Sequence, residues 1–268
     1  MKKILFFTFF LSIAFFAVAQ KKYPIVVIET NHGTMKAILY DDTPRHSTHF
    51  LKLVKQGYFN GTLFYRVIRN FMIQGGAQDS RNAPAGIQVG SGRRDMEILP
   101  EFRTNRFHKK GALAVPRRDE KENPQKKSDA SQFYIVHGQK YTNGQLDTLE
   151  MRVNVPIKNK IISQYYIPYK EKLAELKNSD PHAFNTLLDS ILNIVDSLYE
   201  IAPGKLHFDL KKREVYSTLG GAHYLDGDYT VFGEVIEGLE VIDKIASLAV
   251  DGNMRPKKDA KIIRVYVE

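Results

Sequence analysis

The chain of 268 residues contains no cysteine and no tryptophan. Without a thiol there can be no disulfide framework, no thiolate nucleophile, no cysteine metal ligand and no cysteine-borne lipid anchor. Glycines are frequent between Gly75 and Gly92, but no Gly-Lys-Ser/Thr step follows them, so the stretch is a long loop rather than a phosphate cradle. Long hydrophobic runs are also missing, with one exception, Ile4 to Phe16. That run is short of the roughly 20 residues a spanning helix needs. It follows Lys2-Lys3 and precedes Ala17-Val18-Ala19, which together have the form of an export signal over residues 1–19 with a small-x-small cleavage site. The expected mature chain starts at Gln20, has no stable membrane span, and is periplasmic or secreted and soluble. An uncleaved N-terminal anchor is the alternative.

What is present is enough for a real core. Apolar residues make up 43% of the chain, sufficient for one domain carrying an insertion or for two domains. The formal charge is +9. However, Lys109, Lys110, Arg117, Arg118, Lys121, Lys126 and Lys127 alternate with Asp119, Glu120, Glu122 and Asp129, the pattern of a solvated loop. No nucleic-acid partner is expected. His46 and His49 stand three apart on a predicted helix, but no third ligand lies at metal-site spacing, so no metal is expected.

The apolar periodicity reads as short strands. Ile25–Glu29 and Met35–Tyr40 flank the turn Asn31-His32-Gly33 as a hairpin. Thr43-Pro44 starts a helix whose apolar face is Phe50, Leu53 and Val54, closed by Gly57. Further strands are predicted at Gly111–Val115, Ser131–Val136, Thr230–Ile236 and Ile262–Val267, with a second helix over Val241–Leu248. The central pair is Phe64–Ile68 and Phe71–Gly76 around Arg69-Asn70. Alternation places Phe64, Arg66 and Ile68 on one face, and Phe71, Ile73 and Gly75 on one face of the next strand. An arginine on an apolar face is costly to bury without acceptors. Either its head escapes to water, or Arg66 and Gln74 point into a shallow groove. The count of eight strands and two helices fits a mostly β fold, an eight-stranded antiparallel barrel. It occupies residues 23–268 and is interrupted by an α-helical insertion at 140–219. In the insertion, Asp180-Pro181 starts a helix with a Phe184, Leu187, Leu188, Ile191, Ile194, Val195, Leu198 stripe; a second runs Tyr169–Leu176 and a third segment Leu210–Leu219. The expectation is a satellite hairpin that a short turn could replace.

Phe64-Tyr65-Arg66-Val67-Ile68-x-x-Phe71-Met72-Ile73-Gln74-Gly75-Gly76 resembles the signature of the cyclophilins, the peptidyl-prolyl cis/trans isomerases. Gly111–Val115, Ser131–Val136, and Tyr224-Leu225-Asp226-Gly227 leading to Val231–Val235 resemble the same family in the same order. The resemblance implies a barrel capped by helices at its open ends, with an active groove on its outer wall. It implies an isomerase of X-Pro bonds, without cofactor or metal, acting on proline-containing segments of unfolded or folding exported proteins. A non-catalytic peptide-binding or chaperone module on the same fold is the second reading. By resemblance, Arg66 and Gln74 are catalytic, and Phe71, Met72, Tyr134 and Leu225 form the proline pocket. Gln132 and main-chain groups near Pro116 and Arg117 hold the peptide. Tyr224 stands where a tryptophan or phenylalanine is usual, Tyr229 where the pocket histidine is usual, and Tyr134 for a phenylalanine, its hydroxyl needing a partner. Tyr65 replaces a common histidine and is expected outside the groove by alternation. No groove residue is then expected to titrate between about pH 5 and 8.

Overall fold

A computed structural model of the chain describes residues 23–268; the predicted export signal lies outside the described residues. Strands β1 (Ile25–Thr30) and β2 (Gly33–Leu39) form the expected hairpin, in a register that pairs Val26 with Ala37 and Ile28 with Met35. Next come α1 (Pro44–Lys55), β3 (Arg66–Ile68), β4 (Met72–Gly75) and the two-residue β5 (Glu97–Ile98). Then follow β6 (Ala112–Ala114), β7 (Ser128–Asp129), which pairs with β5, and β8 (Phe133–Val136). Helices α2 (Asn143–Tyr165), α3 (Lys170–Ser179), α4 (Pro181–Ile201) and α5 (Leu210–Thr218) fill the insertion. The chain ends with β9 (Val231–Glu237), α6 (Leu239–Ala246) and β10 (Ile262–Val267).

Eight strands make one antiparallel sheet in the order β10-β1-β2-β9-β6-β8-β4-β3. The segment leading into β3 bonds to the start of β10, with Phe64 N–H on the Ala260 carbonyl and Ile262 N–H on the Thr62 carbonyl, both 2.8 Å. These bonds join the two outer edges of the curled sheet and leave fewer open backbone groups there. Inside, Phe50, Leu53 and Val54 of α1 and Val241, Ile242 and Ile245 of α6 pack on Ile28, Leu39, Phe64, Phe133 and Phe232. Both helices thus bury one stripe against a single core, as the spacing of Phe50, Leu53 and Val54 predicted for α1; on α6 the expected face was Ile242, Ile245 and Ala249, of which Ala249 lies beyond the helix end and is exposed. Among the described residues, no helix is long and apolar enough to cross a membrane.

Two expectations about strand faces fail. Phe64 lies in the core, while Arg66 and Ile68 face the other side. The ladder of β3 begins only at Arg66, so alternation cannot be carried back across Tyr65. Likewise Ile73 faces the core, but Phe71 lies on the outer side with Met72. Asn70 is in the left-handed region (φ 62°) and turns the chain immediately before Phe71, breaking the period there.

The insertion is more than a hairpin. Its longest helix, α2, was not anticipated, because Pro156 falls inside it and it has little amphipathic contrast. Its start did carry a signal: Thr142 and Gln145 form a reciprocal capping box. Asp180 caps α4 by accepting from His182 and Ala183 N–H. The far ends of α2, α3 and α4 share a small core of Leu173, Ile191 and Val195. Near the barrel the picture changes. Gln139 and Gly221 exchange backbone hydrogen bonds, and Tyr141 N–H donates to the Tyr216 carbonyl. Around this neck Phe107, Tyr141, Leu146, Phe208 and Tyr216 form a second buried cluster. The α5 segment is thus joined to the rest of the chain through wholly buried Tyr216, which packs on Phe107 outside the insertion.

Candidate active site

The sheet register brings the predicted residues together. Arg66 pairs with Gln74 across β3–β4, Gln74 with Tyr134 across β4–β8, and Tyr134 with Ala114 across β8–β6. One arginine N–H donates to Gln74 Oε1 at 3.0 Å. Gln74 Nε2 donates to the Tyr65 hydroxyl at 2.6 Å and to Gln132 Oε1 at 3.1 Å. The Tyr65 hydroxyl in turn donates to Gln132 Oε1, and Gln132 Nε2 donates to Asp129 Oδ2 at 3.0 Å. Each amide is thereby fixed in one orientation, with Gln74 presenting its oxygen to the guanidinium. The arginine is half-buried, so its neutral partner leaves the charge unspent for a ligand.

Tyr65 departs from its predicted place. Lying before the β3 ladder, it turns inward, is buried, and bridges both groove amides. Burial pushes its phenol pKa up, which keeps the hydroxyl able to donate and accept at once. The glycine-rich loop packs directly on it: a Cβ at Gly90 (φ 91°) would lie 2.2 Å from the Tyr65 ring. That loop is itself pinned by Arg255, which is buried and donates to the carbonyls of Ala83, Pro84 and Ile87 while paired with Asp259.

Beside this polar strip lies an apolar cluster. Met72, Ala112, Ala114, Tyr134, Val136 and Leu225 are buried in it, with Ile68, Phe71 and Tyr229 at its margin. Tyr224 is 53% exposed and leans on Phe71, ring centroids 5.6 Å apart. The Tyr229 ring meets Tyr134 edge-on at 6.3 Å. Arg117 lies over Tyr229 at 4.8 Å, and its Nε donates to the Asp228 carbonyl. The Pro116 carbonyl accepts the Asp129 N–H at 2.8 Å, so it already has a main-chain partner. On the other side of Arg66 and Gln74 a cavity of about 380 Å³ opens, walled by Ile87, Val89, Asn253 and Met254.

One participant had no signal of its own. His108, between Phe107 and Lys109 in a stretch that reads as loop, is fully buried with Nε2 2.9 Å from the Tyr134 hydroxyl. It supplies the partner that Tyr134 requires, and it puts a histidine behind the groove where none was expected. His46, weighed as a metal ligand, has both ring nitrogens engaged, Nδ1 with Glu101 at 2.7 Å and Nε2 with Ser128 at 2.9 Å.

Comparison with known proteins agrees with this geometry. The family model described as cyclophilin type peptidyl-prolyl cis-trans isomerase/CLD matches residues 25–267. A Staphylococcus epidermidis protein carrying the name of a peptidyl-prolyl cis-trans isomerase is 27% identical over 244 residues, 91% of each chain. A Streptococcus pyogenes protein named as a bifunctional phosphatase/peptidyl-prolyl cis-trans isomerase is 27% identical over 248 residues. The present chain spans only 38% of that protein's length. Among solved structures, a Cryptosporidium parvum cyclophilin type isomerase superposes with a TM-score of 0.53 at 17% identity, covering 92% of this chain and 98% of that one. With the family model matched from β1 to β10, the chain belongs to the cyclophilin-type peptidyl-prolyl cis-trans isomerase family.

Proposed function

We propose that the protein accelerates cis/trans rotation about X-Pro bonds in exported polypeptides. The observation that carries this reading is a guanidinium, Arg66, oriented by Gln74 at the rim of a buried apolar cluster containing Met72, Tyr134 and Leu225. Rotation about the peptide bond costs about 18–20 kcal/mol because of its partial double character. An uncatalysed X-Pro bond exchanges in about tens to hundreds of seconds. No bond breaks, so the site must only localise the nitrogen lone pair and exclude water from the amide. Arg66 does the first by donating to the amide, and Phe71, Met72, Tyr134 and Leu225 do the second by gripping the proline ring. Gln74 and Gln132, held through Tyr65, fix the flanking backbone, and the cavity beyond Arg66 gives the rest of the peptide room. A charged hydrogen bond contributes about 1.5–3 kcal/mol, roughly one to two decades in rate. The apolar grip and desolvation supply the remainder.

Residues 1–19 support an extracytoplasmic client set. A chaperone role beside catalysis is favoured by one observation. The distal helices leave Met151 and Val155 exposed along a cleft of about 360 Å³ next to Tyr199, a surface suited to unfolded clients. The deciding experiment is exchange NMR on a short X-Pro peptide with wild type and Arg66→Ala. Enhanced exchange lost in the variant supports the proposal. Wild type with no effect on exchange overturns it and leaves peptide holding as the activity.

A further inference from the structure

Tyr216 lies in the insertion, yet it is wholly buried against the barrel. Phe107 and Phe208 pack on its ring at 5.6 and 5.8 Å, and a Cβ at Gly221 would come within 2.4 Å of it. Its hydroxyl donates to Asp226 Oδ2 at 2.7 Å. The other carboxylate oxygen of Asp226 accepts twice from His108, from the main-chain N–H at 2.8 Å and from ring Nδ1 at 2.9 Å. An ionised carboxylate only accepts, so the proton of a neutral imidazole sits on Nδ1 and Nε2 is left as an acceptor. That acceptor takes the Tyr134 hydroxyl at 2.9 Å, with the two rings nearly parallel. Four side chains therefore run in series from α5 to the floor of the apolar pocket.

Two features make this more than a satisfied core. Asp226 directly follows Leu225, so one carboxylate anchors the pocket wall through the main chain and the floor through His108. The chain also ends on a hydroxyl at Tyr134, where the apolar floor itself needs none. Burial raises the phenol pKa of both tyrosines, so both hydroxyls stay protonated and able to donate throughout the ordinary pH range.

We propose that Tyr216 is a positioning residue for the proline pocket, acting through Asp226 and His108 on the Tyr134 ring and on Leu225. The inference rests on the isomerase reading above and names the part of the insertion that serves that site. The Tyr216 hydroxyl touches no substrate; it sets how firmly floor and wall close on the proline ring. The distal helices α2 to α4 take no part in this series of bonds.

The test uses Tyr216→Phe, Tyr134→Phe and the double variant in the full chain, with an alanyl-prolyl tetrapeptide as probe. NMR titration gives the peptide Kd, exchange spectroscopy gives the rate at saturation, and selective labelling follows the Tyr134 ring signals. Tyr216→Phe is expected to raise Kd about three- to tenfold, the effect of one neutral hydrogen bond. The saturated rate, to which the apolar grip also contributes, should fall by no more than the factor by which Kd rises, because Arg66 and Gln74 keep their places, and the Tyr134 signals should move. Added to Tyr134→Phe, the same change should alter Kd little, because the series is already cut. Unmoved Tyr134 signals, an unchanged Kd, or the same multiplication of Kd in both backgrounds each overturn the proposal. Should Tyr216→Phe not fold, Asp226→Asn reads the same link, since its amide offers an N–H donor where a carboxylate oxygen accepted. If the wild type binds the peptide without accelerating exchange, the isomerase reading falls, while Kd and the Tyr134 signals still judge the relay.

Discussion

Replacing Tyr65 by phenylalanine removes one oxygen and leaves the ring under Gly90. That oxygen accepts from Gln74 Nε2 at 2.6 Å and donates to Gln132 Oε1. Gln74 Nε2 retains its 3.1 Å bond to Gln132 Oε1, so neither amide is orphaned outright. The loss is therefore two neutral hydrogen bonds of about 1 kcal/mol each at most, with part recovered by the surviving bond, or about 1–2 kcal/mol. For a chain of this size that lowers the melting temperature by about 2–8 °C. Activity should suffer as well, because Gln74 orients Arg66 through its Oε1. With the Gln132 bond alone left to hold its Nε2, Gln74 orients Arg66 less firmly, and the rate on a tetrapeptide should fall roughly three- to tenfold. Thermal denaturation followed by circular dichroism and exchange NMR on the same samples measure both quantities. Tyr65→His, with one donor and one acceptor nitrogen, should recover part of the loss. A Tyr65→Phe variant with unchanged melting temperature and full rate would show that the amides hold their positions without the hydroxyl.

Arg66→Lys keeps the charge but loses the planar fork that serves Gln74 and a ligand together, so it should lose most activity with unaltered circular dichroism; full retention of rate contradicts the role given to Arg66. Burial lowers the pKa of His46, and those of His49, His137 and His223 are lowered in the same way. The unfolded chain binds protons at these sites more readily than the folded one, so their stability contribution is fully present above about pH 6.5 and is lost as pH falls below it, by up to about 1.4 kcal/mol per pH unit for each group. Melting temperature should hold from pH 7.5 to about 6.5 and then drop progressively toward pH 5, and a flat profile down to pH 5 refutes the assignment. Cyclosporin-type ligands, which the family resemblance brings to the groove, should bind about tenfold or more weakly than where a tryptophan donor stands, because half-exposed Tyr224 holds that place; Tyr224→Trp should tighten binding in calorimetric titration, and nanomolar affinity of the unaltered protein speaks against the reasoning.

The juxtaposition of Arg66 and Gln74 was legible in the sequence because the pairing is local. Arg66 and Gln74 are eight residues apart, on neighbouring strands of one hairpin, and a hairpin fixes which side chains face each other. The β1–β2 turn, the α1 start at Pro44 and the α4 start at Asp180-Pro181 were legible for the same reason: turn chemistry, a first-turn proline and the Asp180 cap act within a few residues, although Thr43, expected to cap α1, makes no side-chain cap there. The helix α2 was obscured by Pro156, whose cost in isolation is met in the folded chain by packing against α4.

What the sequence determined by itself was the order of the main barrel strands with α1 and α6, and the nearness of Arg66 to Gln74 on neighbouring strands, since both follow from periodicity and short-range contacts. Only the tertiary structure decided which buried polar groups share a hydrogen bond. His108 meets Tyr134 across 26 residues and Asp226 across 118, and Tyr216 reaches Asp226 from a helix whose apolar pattern gives no direction. A hydroxyl or carboxylate carries no mark of the partner it will find. Its cost of burial demands one, and the closing of the sheet and the neck of the insertion determine which residue stands near enough to provide it.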